Sequence, residues 1–567
     1  MQTEIDLKQV PFSRRGTYFA ISRLQNRSGI ADGLYLRTVH GDATTKEIFR
    51  VSVRDGSGSV AFAERASPEK IELIAKSGLI ECCFATTTQL LFRGRSVVME
   101  LKALLKSDYD VIVQTGPKRW QYVCHASNVN LMITAHEGEL KVSASWTGIK
   151  NESLEVAVLP SKVTGEFLVS IDEFTTSFET PQTETLDSAV RSARGDLDAW
   201  MQFAPTVPTK FQQARALAAY VSWSAIVEPK GLVHRPSMFM SKNWMTNVWS
   251  WDHCFNAMAL TADAEAAVDQ FMTMFDNQDE YGAIPDYFND AAISNNFSKP
   301  PVHGWALDWL MRRAEFDDSF FADAYQALTK WTNWWFTYRD YDSDGFPQYN
   351  HGNDSGWDNS TAFRQFVPIE SPDLMAFLVI QMEVLATLAG RLGLPAEQAS
   401  WADRSTRFLA RLLEEFWVDG RFIARHAMTH EPVSCDSLLM YVPLVLGERL
   451  PPGIFDALAD SLSEHGFVTD FGLATESPRS QHYESDGYWR GPIWAPSTMI
   501  IVDGLVRGGR KQLGRDIAHR FCSMVARSGM AENFDALSGD GLRDRAYTWT
   551  ASVFLVLASE YVTAGDD

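Results

Sequence analysis

Two hydrophobic periods divide this chain. From residue 1 to about 185, apolar residues alternate with polar ones or fall in short β-branched runs bounded by Gly, Asp and Asn, as in Asp110-Val111-Ile112-Val113-Gln114 and Glu139-Leu140-Lys141-Val142-Ser143-Ala144. Successive side chains of a strand point to opposite faces, so this two-residue period predicts half-buried antiparallel strands. Many short strands between turn residues, with no intervening helical spacing, predict a β-sandwich.

The period changes at Leu186-Asp187-Ser188-Ala189-Val190, and few strand patterns follow. Ser371 stands as a helix N-cap with Pro372 at the first position, and Leu374, Phe377, Leu378, Met382 and Leu385 succeed it at helical spacing. That helix is apolar on nearly every face, which predicts enclosure on all sides. Its successor, from Pro395 to Trp417, sets Trp401, Phe408, Leu412 and Phe416 on one side and Glu397, Arg404, Arg407 and Glu414 on another, so it can face water. An enclosed helix followed by an amphipathic one, among roughly a dozen helical segments, predicts two concentric layers, six helices inside six. The chain therefore reads as a β-rich N-terminal domain over residues 1–185 and an all-α (α/α)6 barrel over 186–567.

Length and composition narrow the function. A chain of 567 residues, 45% hydrophobic and 22% charged, is long enough for two domains and too apolar for disorder. It carries no run of about 18 apolar residues. The formal net charge of −21 argues against nucleic acid and anionic membrane surfaces as partners, both of which require a positive face. A small neutral ligand fits better; oligomeric state stays open. Met1-Gln2-Thr3-Glu4-Ile5-Asp6 lacks the basic flank and apolar stretch of a signal peptide, so a cytoplasmic location is expected. Six scattered cysteines show no zinc spacing and read as buried thiols.

Five segments concentrate Trp with ionisable residues beside Gly and Pro: Trp249-Ser250-Trp251-Asp252-His253, Lys299-Pro300-Pro301-Val302-His303-Gly304-Trp305, Asn353-Asp354-Ser355-Gly356-Trp357-Asp358-Asn359-Ser360, Tyr488-Trp489-Arg490-Gly491-Pro492-Ile493-Trp494, and Ala531-Glu532-Asn533-Phe534-Asp535. Breaking a glycosidic bond needs one carboxyl kept protonated beside the leaving oxygen and a second, ionised one across the ring. Trp357 beside Asp358 is a means of raising that carboxyl's pKa by desolvation.

These segments resemble glycoside hydrolase family 63 and, more distantly, the trehalases. The resemblance covers most of the chain after about residue 235, and the β-rich half looks like that family's N-terminal sandwich. By the resemblance Asp358 matches the general acid, Glu532 the general base of an inverting reaction, and Asp252 and Arg490 the positions that hold the sugar by its hydroxyls. Trp251, Trp357, Trp489 and Trp494 are candidate stacking walls, with Asn359 and His303 as further substrate contacts. The sequence departs from strict trehalases at Lys242-Asn243-Trp244-Met245-Thr246-Asn247, and Asp354 stands where many relatives have Glu.

Competing readings remain for several residues. Asp358 also suits a helix N-cap or Asx turn, Glu532 a solvated loop, and Asp252 with Arg490 a buried ion pair. Trp494 either lines the site or starts a helix, and His303 at a helix start serves packing or capping as readily as sugar. Trp331, Trp334, Trp335 and Tyr338 have core spacing. Asp340-Tyr341-Asp342-Ser343-Asp344-Gly345 is half of a calcium loop, but its twelfth position is His351 rather than Glu, so a simple turn is favoured and no cofactor is expected. The expected activity is inverting hydrolysis of a small α-glucoside or glycosyl-glycerate, with loops such as Gly282-Ala283-Ile284-Pro285-Asp286-Tyr287 setting specificity. The alternatives are a non-catalytic carbohydrate binder and a phosphorolytic enzyme using Arg543 and Arg545.

Overall fold

In the computed structural model, which describes residues 4–26, 29–41, 46–182 and 184–562, the N-terminal strands form two antiparallel sheets. One runs in the spatial order Phe19–Leu24, Gly33–Thr38, Glu47–Asp55, Val98–Ala103, Asn151–Leu159, Glu139–Trp146, with Gly58–Val60 paired to Glu47–Asp55. The other runs Val111–Gly116, Arg119–Cys124, Val129–Glu137, Glu166–Phe174, Gln89–Arg95, Gly78–Phe84, Ile71–Ala75, Phe62–Ala66. Register keeps apolar residues opposite one another on the buried faces: Val51 against Leu101, Ile133 against Ile171, Val169 against Phe92. Shifting a strand by one residue would turn all of these to the wrong face, so the alternation seen in the sequence also fixes the pairing.

Twelve α-helices are described after residue 185: α1 (Leu186–Phe203), α2 (Gln212–Ala225), α3 (Asp252–Met258), α4 (Ala264–Met272), α5 (His303–Met311) and α6 (Asp318–Tyr338), then α7 (Pro372–Arg391), α8 (Pro395–Phe416), α9 (Pro452–Glu464), α10 (Ala495–Arg507), α11 (Lys511–Ser528) and α12 (Thr548–Glu560). A 3-10 segment, Leu438–Arg449, lies between α8 and α9. The inner ring is α3, α5, α7, the 3-10 segment, α10 and α12, each packed on the next and α12 closing on α3. Around it lie α4, α6, α8, α9, α11 and α2. The (α/α)6 barrel is thus present, with two differences from the helical count. One inner element is 3-10, because Pro443 within it has no N–H for an α-helical ladder. And α1 joins neither ring: Leu186, Ala189 and Ala193 pack on Cys83, Ala85 and Leu91 of the sandwich.

Burial follows the patterns. In α7 both the apolar stripe and the opposite face are buried, while α8 buries Trp401, Phe408, Leu412 and Phe416 along one line. Ser371 occupies the N-cap of α7, but its hydroxyl bonds Asp373 rather than a backbone N–H. Helix α7 is also the only helix among the described residues long and apolar enough to cross a membrane, and 83% of its most apolar window is buried inside the protein. Inner helices approach closely: a Cβ on Gly304 of α5 would stand 2.4 Å from the Gln381 backbone of α7. Trp331 and Trp335 of α6 are fully buried as the spacing predicts, whereas Tyr338 is exposed at its end.

Sandwich and barrel share one continuous apolar core. At the junction the buried Lys242 ammonium reaches Ser13 Oγ and the carbonyls of Thr17 and Ile226, and Arg37 reaches the Asn243 carbonyl. His40 sits between Asp290 (2.7 Å) and Glu173 (2.8 Å).

Candidate active site

Each motif segment precedes an inner helix on its N-terminal side: Trp251 before α3, Lys299 before α5, Asp358 before α7, Tyr488 and Trp489 before α10, Glu532 before α12. Residues hundreds of positions apart are thereby gathered at one end of the ring. A cavity of about 220 Å³ lies there, lined by Asp358, Trp251, Trp489, Asp286, Lys299 and Tyr488, with Met240, Met245, Trp249, Tyr287, Asn353, Gly356, Tyr547 and Trp549 completing its wall.

Asp358 reaches this cavity from the tight turn that follows Gly352–Ser355. Gly356 holds φ at 74°, a left-handed conformation that glycine adopts without cost, and a Cβ there would stand 2.6 Å from the Trp251 ring. Asp354 braces the turn: buried, it accepts bonds from Ser298 N (2.8 Å), Asn350 N (2.8 Å) and Arg339 (2.9 Å). An Asp in place of the relatives' Glu is therefore fully satisfied. Burial raises the Asp358 pKa above its ordinary value, opposed by Lys299 and reinforced by Asp286.

Glu532 stands behind the aromatic wall, 5% exposed. Trp549 Nε1 donates to its backbone carbonyl at 3.3 Å, and its backbone N–H donates to Asp544 O at 2.8 Å. Burial, and then the charge of Asp544, push Glu532 up to about 7. Tyr488, a wall residue of the cavity, has both Asp358 and Glu532 among its charged neighbours. Its own backbone is held at φ 64°, an uncommon conformation for a bulky residue.

Asp252, at the start of α3, is fully enclosed and both its carboxylate oxygens lack hydrogen-bond partners. Burial raises its pKa well above normal, with Lys299, Asp286 and Asp358 as its charged neighbours. Lys299 in turn pairs with Asp286 at 2.8 Å and bonds the Asn353 carbonyl at 2.8 Å. The ion pair between Asp252 and Arg490 considered from the sequence does not form. Arg490 turns to Glu484 at 3.0 Å and is not among the cavity-lining residues.

The expected indole walls separate into two layers. Trp251 and Trp489 line the cavity, 6.0 Å apart between ring centroids. Trp494 is the N-cap of α10 and fully buried, stacked on Trp489 at 4.1 Å, and Trp357 backs Trp489 at 4.7 Å. These two support the wall rather than form its surface. Asn359 is also a brace: its amide donates to Gly487 O (3.0 Å) and accepts from Trp489 N (2.9 Å), clamping the two catalytic-end loops together.

His303 corrects the expectation of sugar contact. It is the first residue of α5, fully buried, with Nε2 3.1 Å from His253 Nε2 and its ring against Phe275 and Trp331. Burial holds it well below the ordinary histidine range, so it is a neutral core residue. Arg543 lies over the Tyr488 ring (4.9 Å to its centroid) but is tied to Asp486 (2.6 Å) and Asn533 (3.0 Å), and Arg545 bonds the carbonyls of Gly541 and Ser528; neither lines the cavity. They do not build the cationic pocket a phosphorolytic enzyme needs. Asp286 and Tyr287 of the loop expected to set specificity do line the cavity, whereas Tyr547 and Trp549 were not singled out in the sequence; the aromatic pair flanking Thr548 at the start of a final apolar helix was the available signal.

A double helical ring with carboxylates and indoles around a cavity at one end defines a carbohydrate-handling (α/α)6 barrel. The chain belongs to the family described as mannosylglycerate hydrolase MGH1-like glycoside hydrolase domain, whose model matches residues 245–550. A mannosylglycerate hydrolase of Thermus thermophilus is 25% identical over 145 residues, 25% of this chain, and that stretch spans only 35% of the relative. A glucosylglycerate hydrolase of Mycolicibacterium hassiacum is 22% identical over 54% of this chain and 91% of its own length. In fold, the family 63 mannosylglycerate hydrolase of Thermus thermophilus covers 60% of this chain and 99% of its own (TM-score 0.54, 19% identity). A bacterial glucoamylase covers 99% of this chain and 94% of its own (TM-score 0.60, 10% identity), sandwich included.

Proposed function

We propose that this protein hydrolyses a small α-glycoside, an α-glucoside or glycosyl-glycerate, with inversion at the anomeric carbon. Asp358 gives its proton to the departing glycosidic oxygen, and Glu532 takes one from the water that attacks the opposite face of the sugar. The observation that carries this is a cavity lined by Asp358, Trp251, Trp489 and Trp549, with the buried Glu532 tied through its backbone carbonyl to Trp549 of that same wall. An inverting pair must leave room for that water, which places the two carboxyls about 6.5–9.5 Å apart. Burial supports both roles: it raises Asp358, the direction a general acid requires, and Glu532 near 7 is a base matched to the working pH. The unpartnered oxygens of Asp252 suit sugar hydroxyls, whose hydrogen bonds would satisfy them. The glycerate option rests on the names of the relatives.

The test is a panel of α-glucosides, α-mannosides and their glycerate conjugates, followed by NMR of the anomeric proton in the first seconds. The β-anomer is expected from an α-substrate. Asp358→Asn and Glu532→Gln should each lower turnover by about 10²–10⁴-fold with the fold intact, and the acid limb of the wild-type pH profile should fall near 7. Retention of configuration, or full turnover in either variant, would remove the proposal.

A further inference from the structure

Outside the lining of the cavity, four side chains from three separate segments converge. Asp342 and Asp344 come from the turn after α6, shaped by Gly345 at φ 93° and by Asp340, which accepts from Gly345 N at 3.0 Å. Glu370 lies on the two-residue strand just before α7, paired antiparallel with Arg425–His426. His430 stands at φ 56° at the end of the turn that leaves that strand. Its Nε2 is 3.1 Å from Asp342 Oδ2, 3.5 Å from Asp344 Oδ2 and 4.0 Å from Glu370 Oε1, and the four donor atoms all lie within 4.8 Å of one another.

Acidic turns are common on surfaces, and this one is distinguished by atoms left without partners. The Glu370 side chain is 0% exposed, and its Oε1, facing His430, has no hydrogen-bond partner; Asp342 Oδ1 is buried and equally unsatisfied. A buried carboxylate oxygen without a donor is costly, because it has given up its hydration and gained nothing in return. Arg425 does not relieve the site, because its single charge is divided among the other oxygen of Glu370, Asp344 and Glu415. Burial nonetheless pushes Glu370 up to about 8. The set also differs from the calcium loop suggested by spacing. Asp340, whose Oδ2 accepts from Gly345 N while its Oδ1 is unpartnered, lies outside the four-residue group, and His351, the twelfth residue, accepts from Asn353 N instead.

We infer that Asp342, Asp344, Glu370 and His430 form a binding site for one divalent cation, which clasps the turn after α6 to the strand that leads into α7. Three carboxylate oxygens and one imidazole nitrogen suit Mn²⁺ or Zn²⁺ better than Ca²⁺, which prefers oxygen throughout. The cation supplies the charge that Arg425 alone cannot, and it gives Glu370 Oε1 its missing partner. The loop that carries Asp358 springs from this clasp, since Tyr349 pairs with Ile369 beside it.

The experiment uses the full chain after exhaustive dialysis against EDTA and then metal-free buffer. Mn²⁺, Zn²⁺ and Ca²⁺ are titrated separately by calorimetry, with melting curves recorded in parallel. One equivalent of Mn²⁺ or Zn²⁺ is expected to bind and raise the Tm. Asp342→Asn and His430→Ala should each weaken binding at least tenfold while keeping the metal-free Tm, because His430 is nearly half exposed and neither change cuts into the core. No binding of any of the three ions at millimolar concentration would overturn the site, leaving a carboxylate cluster balanced by Arg425 and His430. Binding of Ca²⁺ that is indifferent to His430→Ala would overturn it too.

Discussion

At the scale of residues, burial raises the pKa of both Asp358 and Glu532. Unfolded, Glu532 titrates at its ordinary 4.5; folded, at about 7. Within that window the folded chain binds the extra proton, so stability falls as pH rises through it, and above it the buried charge costs about 3 kcal/mol. Glu532→Gln should therefore melt several degrees above wild type at pH 8 and level with it at pH 4. A difference that stays constant with pH would mean that burial does not tune this group. Asp358 stood out as a candidate because Gly356-Trp357 beside it form a compact motif, and Glu532 only through its partner motifs and the resemblance. Asp286 was visible in its Gly-Pro loop, but Tyr547 and Trp549 read as the start of a core helix and only ring closure brings them to the cavity. His303 misled for the converse reason: its Pro-rich flank resembles a site loop, yet the first turn of α5 points it into the core.

Elements decide how firmly the acid is held. The turn carrying Asp358 is fixed on one side by Asp354 and Arg339, on the other by Asn359 against Gly487 and Trp489, and beneath by the contact of Gly356 with Trp251. Gly356→Ala must both strain a left-handed backbone and displace the indole. We expect a stability loss of roughly 1–3 kcal/mol and a fall in kcat of at least about tenfold from misplacement of the acid, read from melting curves and steady-state rates. Unchanged kinetics would show that Trp251 can give way freely. The long helices were visible in the sequence because burial of α7 on every face and of α8 on one leaves opposite periodicities. The two-residue strands at 226–227, 248–249, 369–370 and 533–534 were not, since one pair of residues carries no period. Nor was the 3-10 segment, whose apolar run Leu438–Leu446 reads as an ordinary helix until Pro443 is weighed.

For the whole molecule, the sandwich and barrel are joined by a buried ionic junction. Burial alone would lower the His40 pKa, but its bonds to Asp290 and Glu173 outweigh that and raise it. A base raised on folding stabilises fully below its unfolded pKa near 6.5 and loses that contribution as pH climbs past the folded value. His40→Ala should accordingly lower the Tm more at pH 5.5 than at pH 9. An equal loss at both would assign His40 to packing alone, through its stack on Tyr18 at 4.1 Å. Division into a β half and an α half followed from the change of period, whereas this junction did not, because Lys242, His40 and Asp290 are far apart in sequence and meet only across the finished surface.

Trp489 and Trp494 lie face to face, 4.1 Å apart and 5° from parallel, and only Trp489 touches the cavity. Two indoles this close share their electronic excitation, so the pair should give a strong signed couplet in ultraviolet circular dichroism. Anything that settles against the outer ring would perturb the couplet, and the protein thus carries an optical reporter of occupancy that works in variants too slow to assay.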